Sequence, residues 1–192
     1  MKLSETNFAK IVSIIFNPFL VLTLALVLGN LIWVQLHTGP VIFVISVLIF
    51  LPFIVYTAKI STKKAGFWHP HNLLRKERDS VYIFGMFASL ISILAFSYIG
   101  INYWLGNSFI AFLLIALLFL VNKYIDKASV HTAVFCFSVF YLTDKFDTSI
   151  GLFLIALPII MWARVKLHQH TWVQLFLGII VGMLVGLLSW TI

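Results

Sequence analysis

The sequence predicts an all-α protein, a polytopic bundle of about six to seven transmembrane helices. Composition is the first reason: 62% of the 192 residues are hydrophobic and only 10% are charged, against about 25% charged in ordinary soluble domains. The second is length, since several apolar runs approach the roughly 20 residues a helix needs to cross the hydrocarbon core. The third is continuity. No Pro-, Gly- or Ser-rich linker and no internal repeat divides the chain, so a single integral membrane domain, 1–192, is expected, with a motif-bearing core at about 59–190.

Met1 to Lys10 is short and polar, and the apolar stretch behind it is too long for a signal-peptide core. No small-x-small cleavage pattern follows, so Ile11–Val34 is expected to be a retained first span, kinked at Pro18. Val41–Ala58, containing Pro52, and Val81–Ile101 are the second and third. Ser108–Asn122, Val130–Leu142 and Ile150–Ala163, the last containing Pro158, are short for a crossing. They reach only if their polar ends continue as helix or the bilayer thins. Thr171–Trp190 closes the set, and its Gly178, Gly182 and Gly186 recur every four residues on one face, where another helix can approach closely. Trp33, Trp104, Trp162, Trp172 and Trp190 stand close to span ends, as interfacial anchors do. The single cysteine, Cys136, lies in an apolar run and reads as packing.

Between the spans, three polar segments are chemically rich: Lys59–Ser80, Lys123–His131 and Arg164–His170. Even numbers of crossings separate them if all seven runs cross, so they share one membrane face with the N-terminus. The net charge of +7 falls mostly in these short segments. Membrane lipid headgroups or a phosphorylated lipid are therefore the expected partners, and nucleic acid is not. Twelve of the thirteen Lys and Arg lie on that face, with Lys145 alone on the other. In a cell (inner) membrane the positive-inside rule makes that face cytoplasmic.

The rich segments carry a pattern. Residues 128–131 read "ASVH", residues 163–174 read "ARVKLHQHTWVQ", and "HNLLRKERDS" places His71 seven residues before Arg78. These stretches resemble the three signatures of the type 2 phosphatidic acid phosphatase superfamily: Lys-x6-Arg-Pro, Pro-Ser-Gly-His and Ser-Arg-x5-His-x3-Asp. The third spacing is kept through Arg164, His170 and residue 174, and Ser129 and His131 keep their places in the second. The departures are His71 for lysine, Asp79 for proline, Ala128 and Val130 in the second signature, Ala163 for serine, and Gln174 for aspartate. Five of eleven signature residues remain, including both arginines and both histidines.

The resemblance implies a membrane lipid-phosphate phosphatase working through a phosphohistidine intermediate, with no metal and no cofactor. His170 would be the nucleophile, His131 the general acid, and Gln174 the orienting partner of His170. Arg78, Arg164 and Ser129 would hold the phosphoryl oxygens, with His71 in the place of the family lysine. Lys127 is the better replacement for that lysine than Lys76, since four residues before His131 it would share a helix face if helix begins there. The family's well-known members imply an extracytoplasmic site, in conflict with the charge count. The chemistry also stands without the family. A phosphomonoester is dianionic, arginine forks match its oxygens, and two histidines can divide attack and protonation between them.

Plainer readings exist for the same residues. Lys59, Lys63 and Lys64 serve as topology signal or headgroup contacts, and His37, His69 and His168 as surface residues. Asp126 reads as a charged span end. His168 and His170, at i and i+2, would point apart on a helix, against a zinc site. The rival functions are a non-catalytic lipid-phosphate-binding relative and a small transporter. The second is disfavoured by spans nearly free of ionisable groups.

Overall fold

The computed structural model describes residues 5–31 and 75–191, and every regular element among them is helical. The expected span Val41–Ala58, Trp33, Pro52, His37, His69 and the stretch from Lys59 to His71 lie outside the described residues. The chain divides into two compact units, one formed by Met1–Trp33 with Leu120–Ile192 and the other by Val34–Phe119. Among the described residues, five helical stretches are long and apolar enough to cross a membrane: Glu5–Leu22, Arg78–Ile99, Asn102–Tyr124, Thr148–Lys166 and Trp172–Thr191. The protein is thus a helical membrane protein.

The expected first span is two helices, α1 (Glu5–Ile15) and α2 (Pro18–Leu31). Pro18 does not kink a continuous helix; it starts a new one. A residue before proline is pushed out of the α region, and the proline's missing N–H is harmless in a first turn. The backbone accordingly breaks at Phe16 and Asn17, and α2 opens with Val21 N–H bonded to Asn17 O at 2.9 Å.

In the second unit, α3 (Arg75–Ile99) and the part of α4 (Asn102–Tyr124) up to Phe119 make an antiparallel hairpin, with Tyr82 against Phe119 and Phe96 against Trp104. The 25 residues of α3 extend about 37 Å, enough for a core about 30 Å thick. Its buried face is Tyr82, Gly85, Ala88, Ser89, Ser92 and Phe96, a three-to-four spacing of mostly small residues. The turn is a Schellman motif: Gly100 N–H meets Ser97 O and Ile101 N–H meets Phe96 O, with Gly100 at φ 78°. The polar ends of the short fourth run do continue as helix.

In the first unit, α5 (Val130–Lys145) is the core. The shortest of the apolar runs in the sequence becomes the most enclosed helix among the described residues, with His131 through Val139 all buried. A helix apolar on all sides is stable when protein surrounds it, so its 16 residues need not match the lipid thickness. Phe135 and Val139 pack with Ile160, Phe16 and Val21, and Phe16 meets Phe135 edge-on.

The sixth run gains length by changing helix type. Thr148–Ala156 is 3-10 helix and α6 is Leu157–Lys166, with Pro158 in its first turn. Nine 3-10 residues rise about 18 Å and ten α residues about 15 Å, together enough for a crossing. Helix α1 runs antiparallel to α6, through Ala9 and Val12 on Ala163 and the Glu5–Lys166 ion pair.

The last helix, α7 (Trp172–Leu188), lies parallel to α5. Contacts advance together along both: Ser129 with Gln174, Thr132 with Leu175, and Phe140 with Trp190. Gly178, Gly182 and Gly186 form the face between them, and a Cβ at each would overlap Ser129 O and Thr132 Oγ1, Ala133 O, and Phe140 Cβ respectively. Thus the N-terminal ends of α5 and α7 and the C-terminal end of α6 share one end of this unit. Gly182→Ala should lower stability by about 2 kcal/mol, because backbone rather than a movable side chain blocks the new methyl. Gly151→Ala, with open space around it, should change stability by less than about 0.5 kcal/mol. Equal unfolding midpoints for the two variants in mixed micelles would contradict this packing.

Candidate functional site

The segment Arg164–Gln174 is two helix ends joined by a turn. Helix α6 finishes in a Schellman motif, with His168 N–H on Val165 O at 2.9 Å and Gln169 N–H on Arg164 O at 3.1 Å. The residue taking the left-handed conformation is His168, at φ 53°, where Gly100 serves in the other hairpin. Helix α7 then starts at the N-cap Thr171 with a capping box: Gln174 N–H bonds Thr171 Oγ1, and Thr171 N–H bonds Gln174 Oε1 at 3.3 Å. The five-residue spacing between Arg164 and His170 is the length of that turn. His168 and His170 accordingly sit in irregular backbone, not on a helix.

His170 immediately precedes the N-cap, so it does not share a helix with Gln174 as the spacing suggested. It nevertheless meets residue 174: Nδ1 lies 3.2 Å from Gln174 Oε1. The amide's other end faces Asp126, with Nε2 donating to Oδ1 at 3.2 Å and Oδ2 at 3.4 Å. A carboxylate only accepts and Thr171 N–H only donates, so both neighbours require Oε1 toward His170. In the neutral imidazole Nδ1 then carries the proton and Nε2 the lone pair.

Ser129 is the N-cap of α5, but its side chain makes no capping bond. Its N–H bonds Gln174 O at 2.9 Å. Its Oγ is buried and lacks a hydrogen-bond partner, which is uncommon for a hydroxyl in a protein interior. His131, two residues on, is 5% exposed. Thr132 Oγ1 bridges the helices, bonding Ser129 O at 3.1 Å and Leu175 O at 3.0 Å.

Arg164 is 0% exposed, with Nη1 donating to Ser13 Oγ of α1 at 2.6 Å. Taking a guanidinium out of water costs several kcal/mol before compensation; its place in the last turn of α6 supplies part of that through the helix dipole. Lys127 precedes α5, which begins at Val130, so it shares no helix face with His131. Its Nζ instead reaches Gln169 O at 3.3 Å.

One end of the first unit therefore holds Ser129, His131, Arg164, His170, Gln174 and Lys127. Arg78 belongs to the second unit, on α3, where its Nε is buried without a hydrogen-bond partner. His71 lies outside the described residues. Sequence reading assigns no site role to Asp126, Ser13, Thr171 or Thr132. Only Thr171 has a local signal, a threonine three residues before Gln174 at the start of an apolar run. Among the described residues, no group of three or more His, Cys, Asp or Glu is placed to hold a metal ion.

No family model matches this chain, and neither the curated proteins nor the solved structures hold a significant match to it.

Because His168 occupies a left-handed position, His168→Gly should be neutral or stabilising, and His168→Val should lose about 1–2 kcal/mol. Thermal unfolding in detergent gives the order; a valine variant as stable as the glycine variant would contradict it.

Proposed function

We propose that this protein is a membrane lipid-phosphate phosphatase, hydrolysing a phosphomonoester or diphosphate of a lipid without a metal. The observation that carries the reading is the contact of His170 Nδ1 with Gln174 Oε1 at 3.2 Å, which prepares Nε2 as a nucleophile. In the first half-reaction Nε2 attacks the terminal phosphorus and its bond to the leaving oxygen breaks; His131 as imidazolium protonates that oxygen, so a monoester releases the lipid alcohol and a diphosphate the lipid monophosphate. In the second, water gives a proton to His131 and its oxygen to phosphorus, the phosphorus–Nε2 bond breaks, and phosphate leaves with His170 restored. Arg164, the buried Ser129 hydroxyl and the N-terminal N–H groups of α5 supply positive potential to the phosphoryl oxygens. Arg78 and His71 are proposed as further phosphate contacts, on the spacing of the first signature alone.

The second reading, a lipid-phosphate binder without turnover, draws on Gln174 standing where the resembled family has a carboxylate. Six to seven crossings are proposed for the whole chain, from the five spans, the enclosed α5 and the run Val41–Ala58.

Phosphate release from a panel of lipid phosphates and diphosphates in detergent, with chelator present, tests the enzyme. His170→Ala and Arg164→Ala should each abolish release, and His131→Ala should lose less on substrates with good leaving groups. Gln174→Asp should keep or raise turnover, whereas Gln174→Leu should lower it by roughly tens-fold through loss of ring position. Full activity in His170→Ala would overturn the mechanism, and a silent panel with measurable lipid-phosphate binding would favour the binder.

The charge count supports a site on the cytoplasmic face of the cell membrane. Ile125→Cys, at the site end, should then resist an impermeant thiol reagent in intact cells, while Ser149→Cys at the opposite end should react. Native Cys136 is buried and gives no background. The reverse labelling pattern would place the site outside.

A further inference from the structure

We infer that Asp126 is a positioning residue for His170, acting through the Gln174 side chain; the inference deepens the phosphatase reading and rests on it. Asp126 stands in the stretch between α4 and α5, 48 residues from Gln174 in sequence. The α5–α7 contact brings the two together. Its carboxylate accepts from Gln174 Nε2 with both oxygens, and from Lys127 N–H with Oδ1 at 2.6 Å. The resulting chain runs from Asp126 to the Gln174 amide to His170 Nδ1.

This chain does two things that a lone glutamine cannot. It fixes the amide: a flipped group would set Oε1 against the carboxylate and NH2 against the Thr171 N–H, repulsive at both ends. With the amide fixed, the imidazole tautomer follows, and it is the one that leaves Nε2 unprotonated for attack. The chain also delivers charge. A carboxylate on the NH2 polarises the amide and makes Oε1 a better acceptor, so the positive ring that forms when Nε2 is phosphorylated is stabilised through one intervening group. Asp126 supplies at one remove the negative charge that residue 174 lacks.

The tautomer is the readout that a merely structural role for Asp126 would not move, and it does not require turnover. Long-range proton–nitrogen spectra of 15N-histidine-labelled protein in micelles, at about pH 9 where imidazoles are neutral, should show His170 protonated at Nδ1, its signals assigned by their loss in His170→Asn. In Asp126→Ala this ring should move toward the Nε2-protonated form that free imidazole side chains favour in water. An unchanged tautomer in Asp126→Ala, or Nε2 protonation already in the unaltered protein, overturns the inference. If that variant does not fold, Asp126→Asn, of nearly equal size, tests the charge. Phosphate release should fall by roughly tenfold or more, as for outer partners of functional histidines. It should not fall when Asp126→Asn is combined with Gln174→Asp, which presents a carboxylate to the ring directly. Equal losses in both backgrounds mean a structural role only and also overturn the inference. A silent lipid-phosphate panel together with the expected tautomer change would remove the phosphatase reading and leave the Asp126–Gln174–His170 chain standing.

Discussion

The close approach of α5 and α7 is the constraint on which the candidate site depends. With side chains at residues 178, 182 and 186, the backbones would stand farther apart, and Ser129 N–H could not reach Gln174 O at 2.9 Å. That bond joins two helix starts directly. Once it is made, the N-cap of α5 lies beside the capping box of α7, and the stretch before each helix is drawn to the same place. Ser129 and His131 come from one side, His170 and Gln174 from the other, and Asp126 arrives with the chain that leads into α5. Hydrophobic attraction between helices is weak in lipid, so this geometry relies on backbone contact and on hydrogen bonds such as those of Thr132.

Part of this was legible in the sequence because it was local or periodic. The four-residue glycine spacing marks a helix face without reference to any partner, and the i, i+4 relation of His170 and Gln174 correctly anticipates their contact. The contact was anticipated for an inexact reason, since His170 precedes the helix and the capping box supplies the reach. Pro18 gave a visible interruption, but whether proline kinks a helix or begins one depends on the preceding residue's backbone, here Asn17. What was not legible is long-range. Ser13 lies 151 residues from Arg164, and Asp126 lies 48 from Gln174; neither pairing has a periodic trace. The αL histidine was hidden for another reason. Glycine announces such a turn and histidine does not.

Electrostatics at this end of the unit follow from the same packing. Parallel α5 and α7 present two N-terminal ends, each carrying the partial positive charge of a helix dipole. Arg164 adds a full charge, taken wholly out of contact with solvent. A buried positive group raises the energy of the empty state and lowers that of an anion-bound one, since Coulomb attraction grows as water is excluded. In the proposed phosphatase, the hydroxyl of Ser129, buried and unpartnered, would follow the same logic, as a donor that gains a bond when an anionic oxygen enters.

Residues 126 and 174 are coupled by this geometry. The Gln174 amide is within hydrogen-bond distance of both Asp126 oxygens, so a glutamate at 174, with the same reach, would face another carboxylate at short range. Like charges so placed disfavour ionisation of one of the pair. A neutral amide at 174 avoids that repulsion and turns the same carboxylate into a partner, because an amide donates at one end and accepts at the other. With glutamine at 174, a negative charge therefore stands one hydrogen-bonding group behind the ring, on Asp126. His170 retains an oxygen acceptor on Nδ1, and the negative charge behind it is held on the loop entering α5 instead of on α7.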